Sequence, residues 1–392
     1  MNRMAPPLDV CIRGAGVVGS TLALLLARDR LRVGLVAQPA PAPSATTATT
    51  PPDVRAYALN DASRQLLQSL RSWPDAAHCT AVAGMQVFGD DGGAVHFDAA
   101  AHKVDALAWI VDVQALEARL ADAVRFQPLV EVLEAPRAAA LTVVCEGRAS
   151  ATREEFGVTF ESTPYPQRAI AARLRCARPH GGIARQWFLR DGILALLPMG
   201  GAQGNTVALV WSVNTARAPE LLALDDAAFT AELETRIGQA LGNLTLESPR
   251  SDWPLQLARA DRWCGRLPAD SPAVRTTATT PRSWVLAGDA AHTVHPLAGQ
   301  GLNVGLGDVA ELARVLHARD YWRSPGDLRL LCQYERARRA ALLPMGLATD
   351  GLQQLFSQHG QPWQTLRNWG MRGFDASGPV KSWLTRRAMG TP

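Results

Sequence analysis

Apolar residues near the start of the chain are grouped so that few choices of element remain. The segment DVCIRGAGVVGSTLALLLARDRLRVGLVAQ opens with an apolar strand from Asp9 to Ile12 and turns through glycines into an apolar helix that contains the run Leu22 to Ala27. It ends in a second apolar strand that runs up to Gln38, and the three elements make one βαβ unit. Pro39 to Pro52 holds only Pro, Ala, Ser and Thr, which predicts a surface linker.

Past the linker, helical and strand periods alternate. Ala62 to Leu70 has helical spacing, whereas Met85 to Phe88 and Ala94 to Phe97 predict a hairpin turned by Asp90 to Gly93, where the chain leaves its first domain. Ala115 to Val124 is helical again, and Leu141 to Cys145 is a short apolar strand that re-enters the first domain. Four closely spaced strands, Ala169 to Leu174, Gln186 to Leu189, Ile193 to Leu197 and Thr206 to Val213, predict an antiparallel sheet. Asp225 to Leu241 is helical, followed by the strand Trp284 to Ala287, a glycine-rich turn and a helix over Gly301 to Arg319. Tyr334 to Phe356 and Trp363 to Met389 close the chain as helices, the last carrying Arg367, Arg372, Lys381, Arg386 and Arg387 among Trp and Leu. No internal repeat is present.

Length and composition narrow the class. A chain of 392 residues exceeds one ordinary core, and 47% hydrophobic with 19% charged residues fits a soluble globular protein. The formal charge is only +4 and the basic residues are scattered, so nucleic acid is not an expected partner. The six cysteines form no C-x-x-C pair, which suggests neither a zinc site nor a disulfide framework and suits a reducing cytoplasm. The start leaves no room for a signal peptide, and runs such as Leu22 to Ala27 and Ile193 to Leu197 are too short to span a bilayer, so a cytoplasmic protein is expected.

Two glycine turns carry the chemistry. Gly14, Gly16 and Gly19 form G-x-G-x-x-G between a strand and a helix, where backbone amides and the helix dipole can receive a pyrophosphate. The second strand ends in Gln38, where Asp or Glu usually holds the ribose hydroxyls; Gln still forms hydrogen bonds but brings no charge. In WVLAGDAAHTVHPLAGQGLNVGLGDVAEL a strand delivers Gly288 and Asp289, and Gly299 and Gly301 lead into a helix. Asp289 can accept hydrogen bonds from a polyol, and amides from Gly301 through Leu302 to Asn303 can stabilise negative charge on a reduced isoalloxazine ring. That combination points to FAD. His292 and His295 without further ligands make a poor metal site, and no metal is expected.

These residues resemble the FAD-dependent aromatic hydroxylases related to para-hydroxybenzoate hydroxylase, and within them the ubiquinone-biosynthesis hydroxylases. The resemblance covers nearly the whole chain. It rests on the opening βαβ, RAYALNDASRQLLQSL, GDAAHTVHPLAGQGLN, YERARR at Tyr334 to Arg339 and the ending LRNWGMRGFDASGPVKSWLTRRAMG. It implies an α/β fold: a Rossmann-like FAD-binding domain over residues 1–75, 105–165 and 275–345, an inserted antiparallel-sheet substrate domain over 76–104 and 166–274, and a helical C-terminal segment over 346–392. By resemblance, Asp289 binds the ribityl chain, Pro296 and the turn Gly299 to Asn303 border the flavin ring, and Arg55 and Gln114 contact FAD.

The implied reaction hydroxylates the ring of a polyprenylated phenol precursor of ubiquinone with dioxygen, through a flavin C4a-hydroperoxide. The electron donor is NAD(P)H or another reductant. No side chain identifies itself as a base. CEGRAS at Cys145 to Ser150 departs from the family's usual Asp-Gly pair by carrying Glu146, and only Phe126 to Ala140 precede it, as though a sheet edge had been trimmed. The membrane-resident substrate makes peripheral inner-membrane contact or docking to other ubiquinone-biosynthesis proteins an expectation for the basic, Trp-bearing C-terminal segment, beside plain helix packing. Two alternatives stand next to this reading: a flavin hydroxylase or reductase for another aromatic substrate, and a non-catalytic scaffold of the biosynthetic complex.

Overall fold

The structure is a computed structural model that describes residues 7–37, 54–89, 93–201, 204–267, 282–293 and 301–357. The expected linker, the tip of the hairpin turn and the helix Trp363 to Met389 lie outside them, as do Gln38, His295, Pro296 and Gly299.

One sheet has the order Cys264–Arg266, Ser283–Leu286, Ala139–Val144, Leu8–Arg13, Val33–Val36 and Val130–Leu133. All neighbours are parallel except the first pair. Val33–Val36 and Ser283–Leu286 are buried throughout, which is why they read as unbroken apolar runs. The helix Val17–Arg28 is apolar almost all round because it is covered on several sides, by the sheet and by the helices Val113–Arg125 and Gly301–His317.

Strand order reverses between Leu8–Arg13 and Ala139–Val144, so the connections leave these neighbours in opposite directions. A crevice therefore opens beyond their carboxyl ends, the position where open α/β sheets bind ligands.

The second sheet contains the expected hairpin, Gly84–Phe88 with Ala94–Asp98, and the strands Ile183–Leu189, Gly192–Met199, Thr206–Asn214, Phe160–Cys176 and Ser251–Ala260. It is antiparallel apart from the pairing of Ile183–Leu189 with Gly84–Phe88. Helix Asp226–Ile237 closes its core through Phe229, whose ring lies 6.2 Å from that of Trp211. The long strand Phe160–Cys176 slips register between Pro164 and Arg168, where Pro164 and Pro166 lack the N–H a ladder needs.

Several pairings differ from the expectation. Phe126 to Ala140, expected as a trimmed edge, contains Val130–Leu133, the edge strand of the parallel sheet. Cys264–Arg266, expected with the antiparallel domain, pairs instead with Ser283–Leu286, and Phe160–Cys176 begins inside the stretch expected in the first domain. A third sheet of Ala56–Leu59, Trp109–Asp112 and Cys79–Ala81 was not anticipated, because strands of three or four residues show too little periodicity. His292–Thr293 pairs with Arg259 and Ala258, joining the second glycine turn to the antiparallel sheet.

Candidate functional site

At the end of Leu8–Arg13, Gly14 has φ +107°, and a Cβ there would lie 2.4 Å from the carbonyl oxygen of Cys145. A Cβ on Gly19 would lie 1.9 Å from the carbonyl oxygen of Gly14. Both glycines are thus demanded by close backbone approach within the protein. Gly16 differs: its backbone is extended at φ −69° and ψ −175°, and a Cβ would meet no atom of the described residues within 4 Å. It is the N-cap of Val17–Arg28, with no side chain capping it and no acidic residue in the first turn. A helix N-terminus that faces open space with uncapped N–H groups complements an anion.

The second turn is Gly288–Ala290, after strand Ser283–Leu286. Gly288 adopts φ +64° and donates its N–H to Oδ2 of Asp308 at 2.9 Å. Asp308 is fully buried and also binds His292 Nε2 at 2.6 Å and Arg338 Nε at 2.7 Å. Burial alone would raise its pKa, but His292 and Arg338 hold it below the usual carboxylate range. Val18 locks the two turns together: a Cβ on Gly288 would lie 3.3 Å from its Cγ1, and one on Gly305 would lie 3.0 Å from its Cγ2.

Asp289 is exposed, yet burial by the surrounding protein is the largest influence on its carboxyl and raises its pKa, opposed by His292, Arg148 and Arg55. Arg55 lies close enough for its charge to favour the carboxylate, so the structure brings these two predicted residues together.

The remaining predicted residues divide. Asn303 turns its side chain to protein: Oδ1 accepts from Asn60 N at 2.9 Å and Ser63 Oγ at 2.8 Å, and Nδ2 donates to Ala58 O at 2.8 Å. Its side chain thus clamps RAYALNDASR to the helix. Leu302 packs against the core, and a Cβ on Gly301 would meet no atom of the described residues within 4 Å. Gln114 is exposed on the first turn of Val113–Arg125, and among the described residues no hydrogen bond joins it to the two turns.

Sequence reading missed Arg153. This buried guanidinium donates to the carbonyls of Arg148, Gly147 and Ala290, the last at 3.1 Å, and lies 3.6 Å over the ring of Phe160. It joins the turn after Ala139–Val144 to the turn at Asp289. Glu146 is equally committed, to Arg13 Nε at 3.0 Å, Ser150 Oγ at 2.6 Å and Thr152 Oγ1 at 2.7 Å. Nothing in the sequence marks Arg153. Asp308 had a signal: a carboxylate in the apolar stripe Val304, Leu312 and Val315 demands partners.

A capless helix N-terminus at a switch point, beside a carboxylate turn, is the arrangement of a dinucleotide-binding oxidoreductase. Residues 273–343 match the family described as FAD binding domain. The chain is 33% identical over 408 residues to ubiquinone hydroxylase UbiL of Rhodospirillum rubrum, covering 98% of this chain and 90% of that protein. It is 29% identical over 409 residues to 3-demethoxyubiquinol 3-hydroxylase of Escherichia coli, covering 98% and 99%. The fold is shared with p-nitrophenol 4-monooxygenase PnpA from Pseudomonas putida, at a TM-score of 0.69 and 17% identity over 98% of this chain and 97% of that one. The chain belongs to the FAD-dependent hydroxylases of ubiquinone biosynthesis.

Proposed function

We propose that this enzyme holds FAD across the switch point and hydroxylates the aromatic ring of a polyprenylated phenol precursor of ubiquinone, using dioxygen and electrons from NAD(P)H or another reductant. One observation carries the reading: Val18, two residues past Gly16, packs against Gly288, the residue before the exposed Asp289, so the two turns are held together. The residues fit the cofactor, since uncapped amides, a space that a Cβ would enter and a carboxylate acceptor match a pyrophosphate and a polyol.

Bound FAD supplies the activation of dioxygen and the delivery of one oxygen atom to the ring. The chain does the holding. Amides at the start of Val17–Arg28 would receive the pyrophosphate, and Asp289 would accept from the ribityl hydroxyls, with the charges of His292, Arg148 and Arg55 opposing the burial that raises its pKa. Backbone amides at Gly301 to Asn303, at the positive end of Gly301–His317, would stabilise negative charge on the ring system. Asp308, Arg153 and Asn303 position these groups without touching the ligand through their side chains. Glu146 serves the turn rather than proton transfer, because Arg13, Ser150 and Thr152 saturate its carboxylate.

A polyprenyl tail keeps the substrate in a membrane, so the enzyme works at a membrane surface; among the described residues no helix is long and apolar enough to cross one. Flotation with liposomes that carry the substrate tests this contact. The central test is the visible spectrum of the purified protein, with FAD quantified after denaturation, followed by incubation with reductant and a prenylated phenol. Stoichiometric flavin and a product heavier by one oxygen are expected. Failure to bind FAD even when it is in excess would overturn the reading.

A further inference from the structure

Cys264 and Cys332 are the only two cysteine sulfurs in contact among the described residues, 3.6 Å apart and 68 residues distant in the chain. Cys264 is buried on the edge strand Cys264–Arg266. Cys332 lies on helix Leu328–Ser357, is partly exposed and lines an open groove with Arg266, Trp322 and Arg329. Glu335, one turn along the helix, completes the cluster: its Oε2 accepts from Cys264 Sγ at 3.3 Å, and its Oε1 pairs with Arg339 at 2.8 Å.

We propose that Cys264 and Cys332 form an oxidation site in which hydrogen peroxide closes a reversible disulfide between the sheet edge and the helix. Peroxide is the two-electron reduction product of the dioxygen this enzyme class consumes, and the groove admits it to Cys332. Cys332 gives its proton to water in the groove and its sulfur attacks one peroxide oxygen; an S–O bond forms, the O–O bond breaks and the departing hydroxide takes up that proton as water, so sulfur is oxidised to a sulfenic acid. Cys264 then attacks that sulfur while Glu335 takes its proton; the S–S bond forms, the S–O bond breaks and the departing hydroxide is protonated to water. Two thiols and one peroxide thus give one disulfide and two waters. The sulfurs must close from 3.6 Å to about 2.05 Å, a shift comparable to a side-chain rotation. Burial, then the Glu335 carboxylate, raises the Cys264 pKa, which casts it as the thiol that waits for its proton to be taken.

The bond falls at a sensitive place. Tyr334, two residues on, donates its hydroxyl to Leu286 O at 3.0 Å, and Arg338 holds Asp308. A disulfide at Cys332 would tie the sheet edge to the helix that braces the Gly288 turn.

The test uses the full-length holoenzyme, treated with a small excess of hydrogen peroxide. Free thiols are counted after denaturation, and intact mass and non-reduced peptides are recorded. Expected are the loss of two thiols, a mass lower by two hydrogens, one cross-linked peptide pair containing Cys264 and Cys332, and reversal by dithiothreitol. Cys264→Ser should instead gain oxygen at Cys332, Cys332→Ser should show neither change, and Glu335→Gln should slow disulfide closure without slowing loss of the first thiol. The thermal midpoint should rise on oxidation of the native protein and of neither serine variant. Retention of all thiols, or a disulfide between other cysteines, would overturn the proposal without bearing on FAD binding or hydroxylation.

Discussion

Asn303 and Asn60 join two distant parts of the chain: Oδ1 of Asn303 accepts the backbone N–H of Asn60 at 2.9 Å, while Oδ1 of Asn60 caps its own helix through Ser63 N at 2.9 Å. With Ser63 Oγ and Ala58 O also bound to Asn303, the start of Gly301–His317 and the start of Asp61–Ser69 form one rigid corner beside the glycine turns. Asn303→Ala should cost about 1–3 kcal/mol, because three partly buried polar groups lose their partners. Urea denaturation measures it, and a change below about 0.5 kcal/mol would remove the corner from the account.

Gly16 and Gly19 should respond oppositely to alanine. Gly19→Ala forces a Cβ to 1.9 Å from a carbonyl oxygen, so the fold itself is damaged. Gly16→Ala meets no atom of the described residues, so its melting temperature without cofactor should match the parent while FAD affinity falls at least tenfold. Equal FAD affinity in Gly16→Ala would move the pyrophosphate elsewhere.

Asp289→Ala removes an exposed side chain, so stability without cofactor should change by less than about 0.5 kcal/mol. FAD content and turnover should nevertheless collapse. Flavin quantified after gel filtration decides the matter, and full retention would sink the assignment of Asp289 to the ribityl chain.

Glu146 should make stability depend on pH. Burial works to raise its pKa, but the hydroxyls of Ser150 and Thr152 and the charge of Arg13 outweigh burial and lower it. A depressed folded pKa gives stability that is present above the unfolded value of 4.5 and lost as pH falls through the folded one. Glu146→Gln should therefore be less stable at pH 7, by about 1–3 kcal/mol, and the gap should narrow below pH 4.5. Chemical denaturation at several pH values reads this directly; a gap independent of pH would contradict it.

Asp308→Ala should destabilise strongly in urea denaturation. It strands Arg338 and leaves the Gly288 N–H without an acceptor, at about 3–5 kcal/mol. Pairing it with Arg338→Ala should cost less than the sum of the two, because the second change removes the stranded charge.

By itself the sequence determined the elements whose cause is local. The opening βαβ was legible because apolar runs must be buried, and Gly14 and Gly19 because the backbone approach at their turn excludes any Cβ. The position of Asp289 at a strand end was legible for the same kind of reason: four buried residues precede it and a left-handed glycine stops them. Tertiary structure alone decided which turns meet. Arg153 is one arginine among many in the sequence, and only the placing of the Gly147 and Ala290 carbonyls around it makes it a brace. The same holds for the edge strands Val130–Leu133 and Cys264–Arg266, too short to carry a period and defined only by the neighbour each one pairs with. Burial and backbone sterics act within a few residues, whereas hydrogen-bond partners, sheet edges and the Cys264–Cys332 contact depend on segments that come together only when the chain has folded.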